Sequence, residues 1–294
     1  MTGIDLWGRE IKQIDKFIAF HDESIPDKRW LLIGITIIRE GNLIEVIEAL
    51  NRAREMEAYQ GEIHFCKLPA SFAGKFGAKA RLARKWIKMY EDGLSKDVWF
   101  SCLIIDRQSP KFDRKRFKCN FHEYNRFTAM ALKGAIAWHI TPLNLDEVFI
   151  KFISDAKDRC TRPEQGMVDN FESYIPYRAE LDSYLAKITK KRYPLVRIEL
   201  ELKDSSRENG LQFTDLLLGA TQMALIGKSG REVKREIGKY ILDWFNDIKK
   251  PPWKQQYGMH RKFNIWLFPD KDGKASNEIE MQLSQVDKSQ LSLF

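Results

Sequence analysis

Lys16-Phe17-Ile18-Ala19-Phe20 is an apolar run that ends at His21-Asp22-Glu23-Ser24. A hydrophobic strand that closes on adjacent carboxylates is costly, because acids at the edge of a core repel each other and lose hydration unless a cation or hydrogen-bond donors compensate. Asp22 therefore reads as the first ligand of a metal site, with acidic partners brought to it by later elements. The simpler alternative is a polar turn, Asp22-Glu23-Ser24, leading to Pro26.

Working outward, Phe17–Phe20 is a first strand and Trp30–Ile38 a second, rich in β-branched residues as in a strand buried on both faces. Pro26-Asp27 between them favours a tight antiparallel hairpin. Leu43, Val46, Ile47, Leu50 and Ala53 recur at helical spacing. Glu62-Ile63-His64-Phe65 is a short alternating run between Gly61 and Pro69, and a basic-faced helix follows over 71–92. Val98–Ile105 is a third buried strand, closing on Asp106; a basic loop, Arg107–Asn120, leads to a helix over 121–140. Glu147–Ile153 is a strand ending at Ser154-Asp155. A helix over 165–189, a strand over 196–202 and a helix over 211–226 come next, the last with N-cap candidates in Ser205–Asn209. A helix over 231–248, a strand over 262–268 and a polar tail from Asp270 complete the chain.

Strands followed by helices and opened by a hairpin describe a mixed α/β sheet. In such sheets active sites gather where strands end, and three strands here end in an acid: Asp22, Asp106 and Asp155. Glu62 opens the Glu-Ile-His-Phe run, and Asp215 sits alone in the apolar helix Leu211-Gln212-Phe213-Thr214-Asp215-Leu216-Leu217-Leu218-Gly219-Ala220. Gln212, Asp215 and Gly219 share one helix face, and the glycine lets another element approach it closely. Hard cations such as Mg²⁺ and Mn²⁺ prefer carboxylate oxygens, and a pair of them clamps the attacking and leaving oxygens of an in-line phosphoryl displacement. No His₃ or Cys–His cluster competes for the role, and no Gly-x-x-x-x-Gly-Lys-Ser/Thr loop points to a P-loop ATPase.

With 294 residues, 44% hydrophobic and 31% charged, the chain can build a sizeable globular core. No stretch is long and apolar enough to span a bilayer and no signal pattern opens the chain, so a cytoplasmic protein with no membrane contact is expected. The cysteines, Cys66, Cys102, Cys119 and Cys160, are widely spaced and read as reduced structural thiols. The net charge of +8 favours a polyanionic partner. Three basic segments could supply the contact: the 71–92 helix face, the Arg107–Lys118 loop, and the stretch with Lys249, Lys250, Trp253, Lys254, Tyr257, Arg261 and Lys262 that mixes cations with aromatics. A solvated helix face and a tail covering the core are the plain alternatives for the first and last.

Asp22-Glu23-Ser24, Glu62-Ile63-His64, the strand-ending Asp155 and the Leu-Gln-x-x-Asp-Leu-Leu-x-Gly signature at 211–219 together resemble the family catalogued as domain of unknown function 3800, which is similar to the RNase H-like, integrase-type nucleases. The resemblance covers about 17–227; Ile25 stands where that family usually has glycine. It implies an RNase H-like mixed sheet flanked by helices over 17–227, after a lead-in at 1–16 and before a basic α+β extension at 228–294 packed on the same domain. It implies Asp22, Glu62, Asp155 and Asp215 as the carboxylates for Mg²⁺ or Mn²⁺, with His64 as a neighbouring group or proton carrier. Ser205 and Gln212 would contact substrate or orient ligands, and Glu23 and Ser24 belong to the matching motif. Asp106 competes with Asp155 for the second acid, and the family match ranks Asp155 first. The expectation is a metal-dependent nuclease acting on DNA or RNA. A catalytically inactive RNase H-like module, binding nucleic acid or adapting a larger assembly, is the alternative; a hydrolase of small phosphorylated substrates is the third. A protein partner or a homo-oligomer is compatible with any of them.

Overall fold

The computed structural model describes residues 3–4, 10–26, 28–110, 112–156, 166–189, 191–227 and 229–268. Two-residue strands β1 (Gly3–Ile4) and β2 (Glu10–Ile11) pair with each other ahead of the main sheet. That sheet begins with β3 (Ile14–Ser24), β4 (Trp30–Arg39), β5 (Val98–Asp106) and β6 (Glu147–Asp155), and is completed by β7 (Leu195–Lys203) and β8 (Phe263–Leu267). Its order is β7-β6-β3-β4-β5-β8. β3, β4 and β5 run antiparallel to their neighbours in turn; β6 lies parallel to β3, β7 parallel to β6, and β8 parallel to β5.

Period-two alternation along β3 decides what covers each face. Ile18 and Phe20 join a core with helices α1 (Leu43–Met56), α2 (Gly77–Asp92), α5 (Asn209–Leu225) and α6 (Glu232–Ile248). Phe17 and Ala19 join a second core with α3 (Asn120–Ala135) and α4 (Phe171–Ile188). β4, central and covered on both sides, is buried at every position from Trp30 to Ile38, which is why its sequence is apolar but for Thr36, whose hydroxyl bonds that of Thr214. None of the described helices is long and apolar enough to cross a membrane.

Several boundaries differ from the sequence reading for identifiable reasons. β3 does not stop at Phe20: pairing with β4 carries it through Asp22, Glu23 and Ser24, opposite Gly34, Ile33 and Leu32, so the acids lie within a strand and the polar-turn alternative is overturned. The short alternating run at Glu62–Phe65 is loop over Glu62–His64, followed by a single 3₁₀ turn at Phe65–Lys67. α2 starts at Gly77 instead of 71, because Gly74 takes a left-handed φ of 79° that interrupts the helical path. The 121–140 helix loosens into a π-helical turn at Ile136–Ile140, next to Gly134, whose missing Cβ makes room for the Trp266 ring. α4 begins at Phe171, where Asp169 accepts the Phe171 N–H. Glu208 caps α5 in position, but none of the serines at 205 and 206 supplies a side-chain cap bond. The polar tail from Asp270 lies outside the described residues.

Candidate active site

The parallel pairing of β3 with β6 places His21 opposite Ser154, so Asp22 and Asp155 follow as the next residues on neighbouring strands. Both alternate onto the face that carries Ile18, Phe20 and Ile153, the face on which α5 packs. α5 presents Asp215 there, and the loop between α1 and α2 brings Glu62 and His64. All four carboxylates line one cavity of about 320 Å³. His64, Glu23, Ser205 and Gln212 line it as well, and so does Lys67, which the sequence reading did not single out.

Asp215 is held by the loop it faces. Its Oδ2 accepts the Phe65 N–H at 2.6 Å and lies 3.0 Å from His64 Nδ1. The second ring nitrogen of His64 lies 3.4 Å from Cys66 Sγ. The bond to Asp215 raises the His64 pKa above its ordinary value, outweighing the opposite push of burial. A raised histidine contributes stability that is fully present below its unfolded value, about 6.5, and lost as the pH rises through the folded one. NMR titration of the His64 ring is therefore expected to give a midpoint above 6.5, with Asp215→Asn moving it back down; a midpoint unchanged by Asp215→Asn would show that the pair does not couple.

Close approach makes these bonds reachable. A Cβ on Gly219 would fall inside the Phe65 ring, as the sequence reading of that glycine anticipates, and one on Gly210 would meet the Phe20 ring. Gly219→Ala should push Phe65 away from α5, weaken the bond from its N–H to Asp215, and cost about 1–3 kcal/mol, the usual penalty for overpacking a core. Thermal unfolding measures it, and a variant as stable as the wild type would mean that the loop yields freely.

Gln212 lines the cavity but is held from within the protein. It is only 3% exposed, and its side chain is committed. Oε1 accepts from Ile63 N–H at 2.8 Å and from Arg54 Nη2 at 2.6 Å, while Nε2 donates to the Ser205 carbonyl at 2.8 Å. Arg54, missed in the sequence, is buried beneath the site. Its guanidinium also donates to Asn209 Oδ1 at 2.9 Å and to the Gly61 carbonyl at 2.8 Å, and it packs over the Trp86 ring. The missed signal was its spacing: Arg54 stands four positions after Leu50 and eight after Val46, on the apolar face of α1.

The remaining candidates are engaged by other partners. Glu23 is at the cavity rim, and its carboxylate is engaged by the Tyr124 hydroxyl, which donates to it at 2.6 Å. Ser24 donates to Gln222 Oε1 at 2.6 Å and is not part of the cavity lining. Asp106 is not part of it either: Arg29 donates to both of its oxygens at 3.1 Å, which accounts for this acid without a metal. Under the acids, His21 Nδ1 and Ser154 Oγ meet at 2.9 Å in full burial, tying β3 to β6 one residue before Asp22 and Asp155.

No family model and no curated protein matches this chain. Among solved structures it is similar to ribonuclease H2 from Pyrococcus horikoshii OT3, at 12% identity over 84% of this chain and 97% of that one, with a TM-score of 0.35. It is similar also to RNase H3 from Aquifex aeolicus, at 11% identity over 85% and 74% of the two chains, TM-score 0.33. A third is RNase HII of Archaeoglobus fulgidus, from its complex with PCNA, at 12% identity over 81% and 91%, TM-score 0.28. The fold is RNase H-like. Its own sheet says so: three antiparallel strands, continued past the first by two parallel ones, with helices on both faces.

In this RNase H-like sheet the donor chemistry suits a hard divalent ion, since Asp22, Glu62, Asp155 and Asp215 offer only carboxylate oxygens. The set is open rather than closed: among the described residues no three acidic, histidine or cysteine side chains are drawn together as a ready ion cage. Glu62 is engaged by Lys67, Nζ to Oε2 3.2 Å. Asp215 uses Oδ2 for both of its bonds, which leaves Oδ1 without a hydrogen bond among the described residues.

Proposed function

We propose that the protein is a divalent-metal-dependent nuclease that hydrolyses phosphodiester bonds of DNA or RNA, with Asp22, Glu62, Asp155 and Asp215 holding Mg²⁺ or Mn²⁺. What supports this is one observation: four carboxylates from β3, β6, α5 and the loop before α2 line a single cavity. So much negative charge in one place is tolerable only with compensating cations. When bound, the ion supplies electrostatic stabilisation of the charge that develops during phosphoryl displacement. The chain's own residues do the positioning. His64 Nδ1 and the Phe65 N–H fix Asp215 through one oxygen, and Gln212 with Arg54 fixes the Ile63 backbone beside Glu62. The Asp-Glu-Ser and Leu-Gln-x-x-Asp-Leu-Leu-x-Gly signatures, which resemble those of the domain of unknown function 3800 family, support the same reading.

The open acid cluster favours a second reading, a catalytically inactive RNase H-like module that binds nucleic acid or adapts a larger assembly. One experiment separates the two. Purified protein is titrated with Mn²⁺ by calorimetry and incubated with labelled DNA, RNA and hybrid duplexes in Mg²⁺ or Mn²⁺. Mn²⁺ binding with cleavage that Asp22→Ala abolishes establishes the nuclease. Nucleic-acid binding with neither Mn²⁺ uptake nor cleavage establishes the module instead.

A further inference from the structure

Beside the acid cavity, Lys67, Arg231 and Lys234 gather on one loop segment, and Lys79 lies close enough to feel the charges of Lys67, Glu62 and Asp215. Lys67 sits on the 3₁₀ turn, Lys79 in the first turns of α2, and Arg231 and Lys234 at the start of α6. The Phe65–Leu68 segment is the hub. Arg231 Nη1 donates to the Leu68 carbonyl at 2.6 Å and to the Cys66 carbonyl at 3.2 Å, and Lys234 Nζ stands 5.0 Å above the Phe65 ring. Lys67 leans on Glu62, a cavity wall, at 3.2 Å.

Apart from Lys67, which pairs with Glu62, their charge is poorly compensated. Neighbouring cations on the same helices are neutralised: Arg81 pairs with Glu57 at 2.8 Å and Arg84 with Glu236 at 3.1 Å. Lys79, Arg231 and Lys234 make no ion pair with a carboxylate among the described residues. Both lysines are half-buried, and burial lowers their pKa against the weaker upward pull of Asp215 and, for Lys79, Glu62. Amines that lose hydration without an anion to face are costly, and a bound anion would recover that cost.

The opposite arrangement occurs along the exposed flank of β6 and β7. There Lys151 pairs with Glu201 at 2.8 Å, and Lys203 with Glu208 at 2.9 Å and Glu201 at 3.9 Å. That flank is self-neutralised and offers a polyanion little. The excess positive charge next to the acids therefore lies on the α2–α6 side.

We propose that Lys67, Lys79, Arg231 and Lys234 form a backbone-phosphate subsite, which holds a polynucleotide strand where it leaves the acid cavity across the Phe65–Leu68 turn toward α6. This rests on the nuclease reading for the cavity but names the substrate as a polymer, because a mononucleotide whose phosphate sits among the acids has nothing to place here. DNA and RNA carry the same backbone phosphate, and both are tested.

The experiment measures anisotropy of fluorescein-labelled 12-nucleotide DNA and RNA single strands in EDTA, across a salt series. Lys79→Ala/Lys234→Ala is compared with wild type and with Lys88→Ala, an exposed cation elsewhere on α2. The double variant should bind about tenfold or more weakly, with the slope of log K against log salt reduced by about 1.4, two single-strand phosphate contacts. Lys88→Ala should match wild type, and a free mononucleotide at equal phosphate concentration should not compete. Lys79→Gln/Lys234→Gln serves if the alanine pair fails to fold. The subsite is overturned if the double variant keeps wild-type affinity and slope, if Lys88→Ala is equally impaired, if a mononucleotide competes equally, or if wild type binds neither strand. Mn²⁺ calorimetry on the same proteins keeps the two readings apart. Lost Mn²⁺ binding with retained oligonucleotide binding removes the nuclease and leaves the subsite; the converse removes only the subsite.

Discussion

An Asp215→Asn variant is expected to fold as the wild type does, yet to lose Mn²⁺ binding and to cleave on the order of 10²–10³-fold more slowly, the loss that follows when a group stabilising transition-state charge is removed. The substitution is nearly isosteric, and the amide oxygen can still accept the Phe65 N–H now bound at 2.6 Å. What disappears is the negative charge and the oxygen left over for an ion. Asp22→Asn should do the same, because Asp22 faces the same cavity from the neighbouring strand. His64→Ala should cost less, since His64, though it lines the cavity, spends Nδ1 on orienting the Asp215 carboxylate and adds no oxygen for an ion. Cleavage rates, Mn²⁺ calorimetry and urea unfolding on the three variants check this. Wild-type cleavage by Asp215→Asn would assign the activity to a contaminant, and a collapsed fold would make Asp215 a structural acid.

Local pattern carried the strands and most of the helices because burial on both faces writes itself as continuous apolar sequence. β4 is the plain case: buried from Trp30 to Ile38 and apolar at every position but Thr36. The cavity acids were legible for a related reason, since a carboxylate at the end of an apolar strand, or alone in an apolar helix, contradicts its surroundings. The same signal also flagged Asp106, whose compensation comes from Arg29, 77 positions away in sequence. No local pattern reports such a partner. β3 outran its apolar run for an equally non-local cause: β6 pairs with it as far as His21, and β4 supplies the backbone partners that carry the strand on through Asp22, Glu23 and Ser24.

Gln212 and Gly219 show the difference between a face and its partner. Helical periodicity puts Gln212, Asp215 and Gly219 on one side of α5, and a glycine there invites close approach. That the visitor is Phe65, with Ile63 and His64 in its train, follows from the path of the loop between α1 and α2. Once the loop is in place both polar atoms of the Gln212 amide are hydrogen-bonded within the protein, which periodicity alone does not disclose.

Arg54→Ala is expected to be among the most destabilising single substitutions in the chain, at about 3 kcal/mol or more. Hydrogen bonds from a charged donor contribute about 1.5–3 kcal/mol each, and acceptors stranded in burial cost about 1–3 kcal/mol each. Arg54 serves the Gly61 carbonyl, Asn209 and Gln212 at once, and its removal would also open space beside Trp86. Arg54→Lys should recover little, because one ammonium cannot reproduce the planar fork that spans α1, the loop and α5. The clamp is positional as well as structural. Gln212 Oε1 keeps its bond to Ile63 N–H in the variant but loses the guanidinium that aims it. Glu62, one residue before Ile63, should then wander, and Mn²⁺ affinity measured well below the melting temperature should fall about 10–100-fold, the usual cost of losing a group that orients a ligand. Stability lost with Mn²⁺ affinity intact would reduce Arg54 to a packing residue, because a merely loosened core has no reason to act on Glu62 before it unfolds.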